Sequence, residues 1–147
     1  MTALLIIPAA SFAQDEKATA VNSMIQEQHY IFNAETMSPA SGTTRQLTPE
    51  YDLRVSKDTI TAWLPYFGKS YSAPIDINDA GIKFTSVKFD YTLSRGKKNR
   101  YEVDIRPKDQ TEVYELSLTV FDNGRAILKI TSTNRQPVTF YGHISTK

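Results

Sequence analysis

The sequence has no cysteine in 147 residues. That excludes a disulfide, a thiolate nucleophile and a thiolate metal site, and it leaves no residue for the thioether lipid that anchors many envelope proteins. Histidine is nearly as scarce. His29 and His143 are the only two, and neither stands in a metal-binding spacing such as His-Glu-x-x-His. A Gly-x-Ser-x-Gly elbow and a phosphate-binding glycine loop are also missing. No catalytic residue, metal or cofactor is therefore expected. Charge of one sign is lacking too: 17 Lys and Arg balance 16 Asp and Glu, a net charge of +1. A nucleic-acid partner, which would need a strongly basic balance, is not expected. No apolar run approaches the roughly 20 residues that a membrane-spanning helix needs.

What is present first is a distinctive start. Residues 3–7 are apolar, residues 8–10 are Pro and Ala, and Ser11-Phe12-Ala13 places small residues where a signal peptidase reads before Gln14. No Lys or Arg precedes the apolar run, a departure from the usual signal. Residues 1–13 are accordingly expected to be the remnant of an export signal, and residues 14–147 a single domain of the periplasm or cell envelope, not lipidated. A hydrophobic fraction of 40% and a charged fraction of 22% are those of an ordinary globular chain, long enough for one core.

Periodicity supplies the fold class. Ala18, Val21, Met24, Ile25 and Gln28 repeat at three and four, which predicts one amphipathic helix over residues 15–28. A first strand over 30–37 follows, and then a loop of Ser, Pro, Ala and Gly. After Arg45 the period is two. Tyr51, Leu53 and Val55 alternate with polar residues, Lys57-Asp58 turns the chain, and residues 59–64 return. Further alternating runs surround Ile82, Phe89, Tyr101, Tyr114, Leu128 and Val138. Asp122-Asn123-Gly124 marks the clearest hairpin, and Gly142 a bulge. The expected fold is mainly β: an antiparallel meander of seven or eight strands curled into a barrel-like sheet or folded into a sandwich, with one N-terminal helix.

Candidate function rests on a few clusters. Trp63, Tyr66, Phe67 and Tyr71 lie in and beside a long segment broken by Pro65 and Gly68, with Lys69 and Ser70 between them. Flat aromatic faces with hydroxyl handles can stack on a sugar ring, a peptide or a partner protein. The alternative is that these aromatics complete the core of a small domain without cross-links. Arg54 and Tyr141 are added to the ligand-binding set. Arg45, Arg54 and Arg135 are scattered, with no convergence legible. Residues 95–100 carry four positive charges on a hairpin turn, which suits an anionic surface but equally a guard against edge-to-edge pairing. Asp52 and Asp104 are carboxylates that could meet in space as a hydrolase pair.

Three segments carry a resemblance: Tyr51-Asp52-Leu53-Arg54-Val55, Leu64-Pro65-Tyr66-Phe67-Gly68-Lys69-Ser70-Tyr71, and Asn134-Arg135-Gln136 followed by Phe140-Tyr141-Gly142. With their order and spacing over residues 23–144, the chain resembles the bacterial envelope family called domain of unknown function 4251. The resemblance implies a small exported protein and no activity, cofactor or substrate; its lipoprotein members carry a cysteine that this sequence lacks. The expected function is a non-enzymatic module that binds a small molecule, glycan or envelope protein through the aromatic loop. The alternatives are a paired-carboxylate hydrolase of envelope polymers and a structural subunit that pairs through a strand edge.

Overall fold

The computed structural model describes residues 10–40, 43–66, 81–97, 100–112, 114–133 and 135–146. Among the described residues one helix, α1 (Ala10–Glu27), precedes ten strands: β1 (Tyr30–Pro39), β2 (Arg45–Gln46), β3 (Asp52–Val55), β4 (Ile60–Leu64), β5 (Ile82–Ser86), β6 (Phe89–Arg95), β7 (Arg100–Pro107), β8 (Tyr114–Phe121), β9 (Arg125–Ser132) and β10 (Val138–Ser145). The helix starts earlier than its periodicity suggests and runs through the expected cleavage point. It buries Val21 and Ile25. It ends in a left-handed residue, Gln28 (φ 52°). The Gln28 and His29 N–H groups donate back to the Ile25 and Met24 carbonyls at 3.2 and 3.1 Å, which satisfies the terminal acceptors.

All strands join one antiparallel sheet in the order β5-β4-β3-β1-β10-β9-β8-β7-β6, with β2 beside β1. Ten strands replace the expected seven or eight for two reasons. First, β2 and β3 lie end to end along the same edge of β1, the former opposite Thr36 and Met37 and the latter opposite residues 30–33. Pro49, which has no N–H to give, lies in the gap between them. Second, β5 and β6 occupy the two ends of the ladder yet are separated only by Val87 and Lys88. Nine strands paired antiparallel throughout give the first and last the same sense. The chain therefore bends at this point rather than reversing, and one long strand serves both edges. Eight strand positions result, in a curled sheet nearly closed into a barrel, not a sandwich.

The bend is fixed by Asp109, just after β7. Its carboxylate accepts from the Ser86 hydroxyl at 2.5 Å and from the Val87 and Lys88 backbone N–H groups at 2.9 and 3.2 Å. The Ser86 hydroxyl, then the Val87 N–H, hold the Asp109 carboxyl well below its ordinary range. Ser86 is fully buried at this corner.

Alternation puts one face of each strand inside. Phe32, Leu53, Ile60, Leu116, Leu118, Leu128 and Phe140 are all 1% exposed or less. Phe84 stacks on Tyr114 with ring centroids 4.8 Å apart. The Tyr30 and Tyr91 hydroxyls meet at 2.8 Å, and burial raises the pKa of both.

The closure between β1 and β10 contains a bulge. Ala34 faces Gly142 and Thr36 faces Tyr141, so Glu35 is the extra residue, on β1 rather than on β10. It restores Met37 to the interior after the alternation of Tyr30, Phe32 and Ala34. Gly142 lies against it so closely that a Cβ there would fall 1.9 Å from the Asn33 carbonyl oxygen. At the β8–β9 turn, Gly124 adopts φ 88°, the conformation expected of Asp122-Asn123-Gly124.

Candidate functional site

The outer face of β3 and β4 gathers the polar and aromatic groups that the interior does not use. Trp63 on β4 faces Asp52 on β3 and Lys83 on β5 across the sheet. It is 45% exposed. The Lys83 ammonium stands 4.1 Å from its ring centroid, a cation–π contact. Arg54, two residues along β3, donates from Nε to Asp52 at 3.3 Å and remains largely exposed. Arg54 is paired with Thr61, which points to the same face as Trp63. Between this face and the end of α1 lies a cleft of about 270 Å³ lined by His29, Ile31, Arg54, Thr59, Thr61 and Thr146, among others.

Tyr66 does something different. It is 5% exposed, its hydroxyl donates to the Gln136 carbonyl at 3.2 Å, and the Arg135 guanidinium lies 5.1 Å from its ring centroid. Arg135 is itself buried. It pairs with Glu112 at 3.1 Å and donates to the Gly81 carbonyl at 3.3 Å. Burial, reinforced by the Glu112 charge, pushes the Tyr114 hydroxyl up to about 12. Tyr66 thus belongs to a packed polar cluster that ties the segments around residues 66, 81, 112 and 135 together, and Arg135 converges on it. Phe67 and Tyr71 lie outside the described residues.

The family model of the domain of unknown function DUF4251 matches residues 13–144. The chain belongs to the DUF4251 family. A DUF4251 family protein from Bacteroides eggerthii DSM 20697, whose crystal structure was determined at 1.95 Å resolution, is similar in fold at a TM-score of 0.67 and 17% sequence identity, covering 90% of this chain and 87% of that one. No curated protein matches.

The remaining candidates of this DUF4251 chain are dispersed over its surface. Tyr141, 40% exposed, lies on β10, separated from β4 by β3 and β1, which at strand spacing is about 14 Å across the sheet. It flanks the Trp63 face rather than joining it. Near the bulge, Glu35 accepts from Arg125 at 2.8 Å and lies 3.4 Å from His143 Nδ1, an exposed group. Asp52 and Asp104 do not meet: one is held by Arg54 on β3, the other accepts from Ser117 on the far side of the barrel. Among the described residues no three His, Asp or Glu side chains converge as a metal site. Among the described residues of the basic turn, Arg95 lies over Tyr101, Arg100 lies over Phe121 of β8, and the Arg100 Nε donates to the Lys97 carbonyl. Sequence reading missed Asp109 and Glu112. Each sits in a short polar stretch after a strand, and nothing local distinguishes it from any loop carboxylate.

Proposed function

We propose that this DUF4251 protein is a non-enzymatic binding module of the cell envelope that meets its ligand on the outer face of β3 and β4, with Trp63 and Arg54 as principal contacts and Tyr141 at the flank. The observation that carries this reading is the exposure of Trp63. A tryptophan is among the most favourable side chains to bury, and here the single one in the chain is left 45% open on a rigid strand, beside charged groups that can orient a ligand. The interior supports it as well, because the inward positions of the described strands are filled mainly by apolar side chains, Ser86 at the β5–β6 corner being a polar one.

Export belongs to the same proposal. The family's shared region begins at residue 13, where the small-residue cleavage pattern ends. Among the described residues no helix is long and apolar enough to cross a membrane. The mature chain is expected to start at Gln14 and to be free of lipid, which mass spectrometry of the protein recovered from envelope fractions checks. A chain recovered from the cytoplasm with residues 1–13 intact would overturn it.

The binding test is the fluorescence of Trp63, titrated with envelope glycans, peptides and lipids. The free protein should emit at long wavelength and be quenched by acrylamide, and one ligand class should change the signal saturably and protect it. Indifference of the Trp63 signal to all classes would remove this face from consideration.

A further inference from the structure

Many described polar side chains of this barrel bond to one another or to the backbone. The cleft beside α1 is an exception. Among the described residues, the His29 imidazole and the Thr61 and Thr146 hydroxyls make no hydrogen bond, and Arg54 engages only its Nε, with Asp52, so its two terminal nitrogens are unengaged. These four groups come from four places in the chain: the second residue after α1, strands β3 and β4, and the residue after β10. They line one cleft of about 270 Å³ in which Ile31 supplies an apolar wall. That volume lies just below the range of about 300–1,000 Å³ typical of drug-sized ligands.

Donors dominate the set. A guanidinium offers a planar fork of N–H groups and no acceptor, imidazole and two hydroxyls can each donate, and carboxylate or phosphate oxygens accept such bonds more strongly than neutral oxygens do. The neighbouring Asp52 carboxylate occupies only the Nε side of Arg54. We infer that this cleft is an oxyanion pocket, in which Arg54 and His29 hold the carboxylate or phosphate group of a compact ligand while Thr61 and Thr146 hydrogen-bond its oxygens or hydroxyls. The inference rests on the binding face proposed above and deepens it. Thr61 and Trp63 are successive residues on the same face of β4, so a ligand anchored by its acid group in the cleft extends its body toward the tryptophan.

The test uses the whole mature protein and side-chain NMR signals of His29 and Arg54, titrated separately with sodium glucuronate, inorganic phosphate and glucose at millimolar concentration, with Trp63 fluorescence read in parallel. Glucuronate is expected to shift both side chains saturably while glucose leaves them unmoved. Arg54→Gln, a change at an exposed position, is expected to weaken binding about tenfold or more without altering the circular dichroism, the effect of losing a charge-assisted pair. His29→Asn should weaken it as well. A response to phosphate as well as glucuronate identifies the bare oxyanion as what is read, and a response to glucuronate alone identifies a sugar acid. The inference is overturned if neither acid shifts these signals, if glucose shifts them equally, or if R54Q binds as tightly as the native protein. A Trp63 response to glucose with silent His29 and Arg54 would sink the oxyanion pocket yet leave the binding face standing; silence at all three residues would remove the oxyanion pocket, while the face itself is decided by the wider titration with peptides and lipids.

Discussion

Replacing Gly142 with alanine tests the closure of the barrel at its tightest point. The added Cβ would lie 1.9 Å from the Asn33 carbonyl oxygen and 3.3 Å from the Ala34 Cα. Carbon and oxygen normally approach no nearer than about 3.3 Å, so β1 and β10 must separate locally by about 1.4 Å. Both contacting atoms near 2–3 Å are backbone, and no rotamer change relieves them. Widening a ladder whose normal spacing is about 4.8 Å by that much breaks the two or three nearest hydrogen bonds, each contributing about 1 kcal/mol net, for a loss of about 3 kcal/mol. For a chain of this size that lowers Tm by about 12 °C. Scanning calorimetry or a urea melt of Gly142→Ala checks it. The appropriate control is Gly96→Ala, where the new Cβ meets the end of the flexible Glu102 side chain at 3.1 Å and the Arg100 Cβ at 3.4 Å, an ordinary van der Waals contact; that variant should stay within about 0.5 kcal/mol of the native protein. A Gly142→Ala protein that melts within about 3 °C of native would refute the register of the β1–β10 closure and the bulge at Glu35.

Two further predictions concern buried and bridging charges. Arg135→Met leaves the Glu112 carboxylate buried without its cation and should cost about 3 kcal/mol or more in urea denaturation, part of which a second change, Glu112→Gln, should recover; a loss under about 1 kcal/mol would contradict the pairing. At the β5–β6 bend, the folded-state pKa of Asp109 lies below its ordinary value of 3.8, so its contribution is complete above that pH and is lost as pH falls below it. Asp109→Asn should therefore be less stable than native at neutral pH, and the gap should narrow in acid below pH 3.8; a constant gap measured by denaturation across that range would show that the carboxylate does not hold the bend.

Much of this fold is legible without the structure because it depends on short-range pattern. Tyr114, Leu116, Leu118 and Val120 alternate with polar neighbours, and a strand has no other way to place them on one side. The spacing of Val21 and Ile25 identifies the buried stripe of α1, and Asp122-Asn123-Gly124 announces a turn because glycine alone accepts φ 88° there without a steric cost. The absence of cysteine and the balanced charge likewise follow from composition.

What only the tertiary structure decided is long-range. Nothing local to residues 30–39 or 138–145 says that these strands, a hundred residues apart, pair to close the sheet, or that the bulge falls on Glu35 while glycine is required opposite it. Nor does local pattern distinguish a hairpin from a bend at Val87-Lys88, since that depends on how the other strands are counted around the barrel. The candidate site divides the same way. Trp63 and Tyr66 stand three residues apart and look alike as aromatics, yet one points outward from β4 under Lys83 while the other, beyond the strand's end, is buried beneath Arg135. Side-chain alternation ends where the strand ends, so the sequence by itself determines which face Trp63 takes relative to its neighbours on β4, and only the packing of distant segments against Tyr66 determines that it belongs to the core.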